Sequence, residues 1–315
     1  MIGMFSKSNP KLWIGGGFVL AIVFVAVFAD WIAPYDPYKQ NLVRRLRPPF
    51  WMSGGSTLNL LGTDNYGRDL LSRLIYGSRI SLMVGVASMC LSCLIGLVAG
   101  VVAGYRGGRA EQIIMRLADA HMALPDVLLA ILIVAAIGGG AFNLILVLGV
   151  SRWMIYARVI FGLARSMKQR TFVEAAAAYG ASDFYIILRH IIPQMIPVLT
   201  VLATLQVAQM ILQETALSFL GLGVPPPAAT WGNILAEGRD RLFVAPWIAD
   251  SAGVAIIVLV LAINLFGTGL REYFDPRSAS PAGDLGAKTG GLKLAVKKLQ
   301  ELVGGHRKAS PREAE

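Results

Sequence analysis

The sequence predicts an all-α integral membrane protein with six transmembrane helices. Three observations predict it. Apolar residues make up 55% of the 315-residue chain and charged residues only 15%, where soluble domains carry about a quarter. Mean hydropathy is +0.60. The apolar residues also fall in long continuous runs, which lipid forces into helices, rather than in the alternation of a β-barrel. Finally, most of the 29 Lys and Arg lie in the polar connections between runs. The formal net charge of +10 therefore reads as basic membrane loops and not as a nucleic-acid surface.

The first run, 12–33, follows Lys7 and Lys11. It exceeds the roughly 7–15 apolar residues of a signal-peptide core, so it reads as an uncleaved first span. Residues 34–79 hold Pro34, Pro37, Pro48, Pro49, Gly54 and Gly55 and cannot cross a bilayer. Within them, Thr63 or Asp64 is expected to cap an amphipathic helix with Leu70, Leu71, Leu74 and Ile75 on one face. The second span is expected at 80–103, the third at 117–137, the fourth at 141–162, the fifth at 196–221 and the sixth at 248–270. The resulting organisation is an N-terminus and first span (1–33), an outer segment (34–79), a permease-like core (80–275) and a tail (276–315). In the tail, 291–303 has the pattern of a basic amphipathic helix.

The distribution of charge sets the orientation. With the N-terminus inside, the inner segments hold 18 Lys and Arg and the outer ones 9, seven of these in 34–79. The bias places both termini on the cytoplasmic side, and the basic outer segment is its exception. Cys90 and Cys93 lie one helical turn apart in an apolar run, without the second pair that a metal site needs. They read as soft core residues.

The stretch 171–193, TFVEAAAAYGASDFYIILRHIIP, carries Glu174, Asp183, Arg189 and His190. Each ionised side chain at mid-membrane costs roughly 2.5–3.5 kcal/mol, so it is a loop. Glu174 followed by Ala175, Ala176, Ala177 and Ala178 favours helix. Gly180 ends that helix in the left-handed conformation. Ser182 or Asp183 caps a second one, and Pro193 is expected to stop it.

Glu174, Ala175, Ala176, Gly180, Ile192 and Pro193 together resemble the EAA loop of ATP-binding-cassette (ABC) importer permeases. His190, where an apolar residue is usual, resembles the peptide-importer branch. Leu61-Gly62-Thr63-Asp64, Gly67-Arg68-Asp69 and Leu71-Ser72-Arg73 resemble the segment before the second span of dipeptide and oligopeptide permease subunits. The resemblance covers about 12–277 and implies a C-type permease, with a MetI-like five-helix core preceded by one added helix. It implies a second, homologous permease subunit, two ABC ATPase subunits and an extracytoplasmic solute-binding protein. The implied activity is inward transport of di- or oligopeptides; related branches carry nickel or glutathione. Glu174, Ala175, Ala176, Gly180, Asp183, Arg189 and Pro193 would form the ATPase-coupling loop, with ATP and Mg bound on the partner ATPases and no cofactor on this chain.

No phosphate-binding loop is present: Gly286-Ala287-Lys288-Thr289 lacks the Gly before Lys and a preceding strand. His121, His190 and His306 are scattered and make no credible metal site. The chain is expected to be a non-catalytic subunit that receives force from ATPases. An ion-coupled secondary transporter would need broken helices with ion ligands and a repeat, and a non-transporting scaffold leaves the loop unexplained.

Ionisable groups within spans are functional candidates. Glu214 either faces the translocation pathway or bonds a neighbouring helix. Asn264 is a second pathway candidate, or glue between helices. Asp119, His121 and Asp126 cluster near the third span, where pairing with Arg116 is the ordinary reading. Gly96, Gly100 and Gly104 form a small face for close helix packing, within the core or against the second permease.

Overall fold

The computed structural model describes residues 9–274. The tail helix expected at 291–303 lies outside them. Among the described residues all regular structure is helical, apart from one isolated bridge between Thr63 and Asp69.

Helix α1 (Pro10–Val27) is capped by Asn9, whose side chain accepts from the Lys11 N–H. The short α2 (Ala29–Ile32) follows. Residues 33–69 form an irregular segment with one 3₁₀ turn at Leu42–Arg44. Helix α3 (Leu70–Arg106) then runs 37 residues without a break, about 55 Å. The separate amphipathic helix expected before the second span is thus the first three turns of α3. Its cap is neither Thr63 nor Asp64 but Asp69, which accepts from the Ser72 N–H. Asp64 is committed elsewhere: it accepts from the Tyr66 and Arg68 N–H groups and binds two arginines.

The third span differs from expectation. Helix α4 (Gly108–Met122) and helix α5 (Asp126–Ile137) meet at 90°. Pro125 disfavours helix at Leu124 and itself stands at the N-cap of α5. Twelve residues rise about 18 Å, so α5 alone does not cross the roughly 30 Å hydrocarbon core. Helices α6 (Ala141–Ser151) and α7 (Trp153–Lys168) together make one span, interrupted at Arg152.

Helix α8 (Thr171–Ala178) and helix α9 (Asp183–Ile186) form the predicted loop. A π turn at Ile187–Ile191 joins α9 to helix α10 (Ile192–Phe219). Pro193 therefore does not stop the second short helix. It sits in the first turn of α10, where the wider π turn before it absorbs the missing N–H, and helix continues from Asp183 to Phe219. A short helix absent from the expectation, α11 (Trp231–Arg239), follows the Pro225–Pro227 turn; Thr230 caps it. Helix α12 (Pro246–Phe274) closes the described chain. Five helical segments are long and apolar enough to span a membrane, and the bent α4–α5 pair brings the number to six.

Helix α3 is the axis of the bundle. Gly96, Gly100 and Gly104 lie against Tyr156, Ala157 and Ala164 of α7, so the small face packs inside the chain. A Cβ at Gly100 would stand 2.6 Å from the Ala157 carbonyl oxygen. Removing it lets the two backbones approach without any hydrophobic drive between helices, which lipid does not supply.

Candidate functional site

The loop at 171–193 sits at the C-terminal end of α3. It is pinned from beneath by apolar side chains: Val173, Ile186 and Ile191 are buried with Val101, Ile160 and Met195. Two polar contacts add to this. The Tyr105 hydroxyl donates to Asp183 Oδ1 at 2.9 Å, and Lys168 Nζ donates to the Tyr105 carbonyl oxygen at 2.7 Å.

Its inner geometry follows from the sequence. Gly180 has φ +82. The Ala181 N–H bonds the Ala176 carbonyl and the Gly180 N–H bonds the Ala177 carbonyl, which is the Schellman ending of α8. The Ser182 side chain then caps α9 by accepting from the Tyr185 N–H. Glu174 and Ala175 are exposed on α8, Ala176 is half-buried, and Arg189 and Pro193 are exposed on the second helix. All seven loop candidates thus share one knob. Its tip is aromatic: Tyr179, Phe184 and Tyr185 are 93%, 72% and 52% exposed. His190 lies beside the rings of Phe172 and Tyr185.

The other candidates lie apart. Glu214 is fully buried in α10, where Ser218 Oγ donates to it at 2.8 Å and Ser81 Oγ of α3 at 3.4 Å. The Ser81 bond joins α3 to α10, and the Ser218 bond lies within α10. Asn264 is half-buried on α12 and its side chain makes no interhelical hydrogen bond among the described residues. Asp119 pairs with Arg158 and Asp126 with Arg152, at 3.1 Å. Both carboxylates pair with arginines of the α6–α7 span and not with Arg116. Trp153 Nε1 donates to His121 Nδ1 at 3.4 Å.

At the opposite end of α3 is a cluster that sequence reasoning half found. Arg68 and Arg73, both within the 61–73 motif, each bind Asp64 and also Glu237 of α11. Asp64, Arg73 and Arg68 are 0%, 1% and 4% exposed. Two cations meet two anions, so the buried group is neutral overall, as burial in low dielectric requires. In the sequence, the basic residues of the outer segment stand out only as the exception to the charge bias. Nothing near Glu237 in sequence signalled that it was the fourth member.

Residues 96–280 match the family model described as binding-protein-dependent transport system inner membrane component. The chain belongs to this family. Residues 7–49 match a second model, the N-terminal transmembrane domain of oligopeptide transport permease C. Among similar curated proteins in this permease family, a di/tripeptide transport system permease protein of Pseudomonas aeruginosa is 43% identical over 88% of this chain and 92% of its own length. A dipeptide transport system permease protein of Haemophilus influenzae is 38% identical over 86% of this chain and 92% of its own. A glutathione transport system permease protein of Pectobacterium atrosepticum is 38% identical over 84% and 86%. A chain of the MetNI methionine ABC transporter, in an inward-facing conformation, covers 65% of this chain and 98% of its own with a TM-score of 0.53 at 19% identity. That likeness shows the MetI-like fold. The chain is therefore a multi-pass ABC-importer permease, and the expected architecture of permease core plus added N-terminal helix holds.

Proposed function

We propose that the chain is one of two permease subunits of an ABC importer that carries di- and oligopeptides, glutathione among them, across the cytoplasmic membrane. Both termini face the cytoplasm in this reading, with 1–33, 34–79, 80–275 and 276–315 as anchor, outer segment, permease core and tail. A second homologous permease, two ATPases and an extracytoplasmic binding protein complete the machine. ATP and Mg stay on the ATPases.

The observation that carries the proposal is the knob at 171–193. A coupling element must be stiff, exposed and attached directly to a span. The Schellman turn at Gly180 fixes the angle between α8 and α9. Three exposed aromatic side chains supply contact area at little conformational cost, and Ala175 and Ala177 permit close approach. The second short helix runs unbroken into α10, so a displacement of the knob by closing ATPases is transmitted to that span as a lever. Glu174 supplies a carboxylate for a cation of the ATPase. Names of relatives that carry dipeptides, tripeptides and glutathione support the substrate class.

The test is uptake of a labelled tripeptide into liposomes containing the full complex. Uptake should require ATP, and Gly180→Pro or Glu174→Lys should abolish both uptake and its coupling to hydrolysis while the subunits still co-purify. ATP-independent uptake, or full coupling in both variants, overturns the proposal.

A further inference from the structure

Beyond Gln194 in its first turn, helix α10 carries three amide side chains, Gln206, Gln209 and Gln213. Their spacing of three and four places them on one face, within an arc of about 60°. They occupy the middle of a segment that crosses the membrane. Their hydrogen bonding is incomplete. Gln206 Oε1 accepts from Arg152 Nη1 at 2.9 Å. Gln213 is 8% exposed and its Oε1 is buried without a partner. Gln209 is exposed and makes no hydrogen bond among the described residues.

Much of the exposed span surface is apolar, as at Leu94 and Val98 on α3 and Ile257 and Leu261 on α12, and the exposed Arg158 is paired with Asp119. An amide facing hydrocarbon forfeits its hydrogen bonds to water and gains none. Gln206 and Gln213 are buried against this chain; Gln209, exposed and without a hydrogen bond among the described residues, therefore meets something polar.

We propose that Gln209, with the buried Gln206 and Gln213 beside it on the same face, lines the translocation path and receives a backbone amide of a short peptide in transit. This rests on the importer reading above and adds where on the chain the cargo is met. A carboxamide offers both donors and an acceptor, the complement of a peptide group whatever its side chain. Being neutral, it binds weakly enough to release, as conduction requires. The competing occupant is the second permease subunit, packed over Gln209.

The test uses the complete complex in liposomes, carrying Cys90→Ala and Cys93→Ala. Gln209→Cys is compared with Leu261→Cys, a lipid-facing control, using a membrane-impermeant thiosulfonate. The Gln209→Cys thiol should react about tenfold faster or more in the nucleotide-free or the ATP-trapped state, and saturating trialanine should slow it severalfold. Gln209→Leu should lower uptake about tenfold, the equivalent of one lost hydrogen bond, and Gln209→Asn should largely retain it. Reactivity as low as that of Leu261→Cys in both states overturns the proposal and points to the second permease or lipid. Reaction that trialanine leaves unchanged also overturns it, since the face then meets water but not peptide. Failure of the importer reading looks different: the unmodified complex then takes up no tripeptide.

Discussion

Arg73, in the first turn of α3, bonds Glu237 on α11 at 2.6 Å, across 164 residues of sequence. This contact, with Asp64 and Arg68, ties the irregular outer segment to the turn between the last two spans. Removing one member of a buried charged group costs about 3–5 kcal/mol, because its partners stay buried and uncompensated. Asp64→Asn should therefore lower the thermal transition of the detergent-solubilised protein and make 33–69 sensitive to protease. A transition unchanged from the parent protein would show that the cluster holds nothing together.

The small face of α3 makes a second prediction. Gly100→Leu would drive a side chain into the Ala157 carbonyl and the Ile160 side chain. Overpacking of this kind costs about 1–3 kcal/mol and should separate α3 from α7. Gly162, where a Cβ would meet nothing within 4 Å, is the matched control. Thermal stability in detergent should fall for Gly100→Leu and stay near the parent value for Gly162→Ala.

One contact at the end of α1 carries a pH dependence of its own. Asp30 accepts from the Tyr76 hydroxyl at 2.6 Å and pairs with Arg79 at 3.1 Å. These hydrogen bonds hold its carboxyl below the usual value of 3.8. A depressed folded-state value means that the contribution is present above the unfolded value and fades as pH falls through the folded one. Attachment of the end of α1 to α3 should thus loosen only below about pH 4. Spin-label distances between residues 30 and 79 flanks should lengthen there, and Asp30→Asn should give the lengthened distance at neutral pH.

Much of this was legible locally. Gly180 and Ser182 announced their own roles because a left-handed turn and a helix cap are decided by neighbours in sequence. The apolar runs announced the spans for the same reason. Three features were not legible. The π turn before Pro193 depends on how α9 is carried into α10, which composition does not encode. The bend at Pro125 was visible as a proline, but its 90° size follows from the packing of α4 against α7. Glu237 is an ordinary helical glutamate until Arg68 and Arg73 reach it from the other end of the chain. Glu214 was visible as an anomaly, yet its partners Ser81 and Ser218 became apparent only with the helices in place.

The attachment of the knob separates mechanical coupling from simple docking. Asp183 is held by the Tyr105 hydroxyl at the end of α3, while the aromatic tip at Tyr179, Phe184 and Tyr185 faces away. Tyr105→Phe removes that bond, worth about 1 kcal/mol, and leaves the tip intact. ATPase binding should persist, because the contact surface is unchanged. Uptake per ATP hydrolysed should fall, because α8 and α9 then move partly without α3. Tyr179→Ala should do the reverse, weakening ATPase binding in a pull-down from detergent while preserving the uptake-to-hydrolysis ratio of the complexes that form. If both variants lose binding in parallel, the Tyr105–Asp183 contact serves only to fold the loop. If Tyr105→Phe leaves the ratio unchanged, the lever runs through α10 alone.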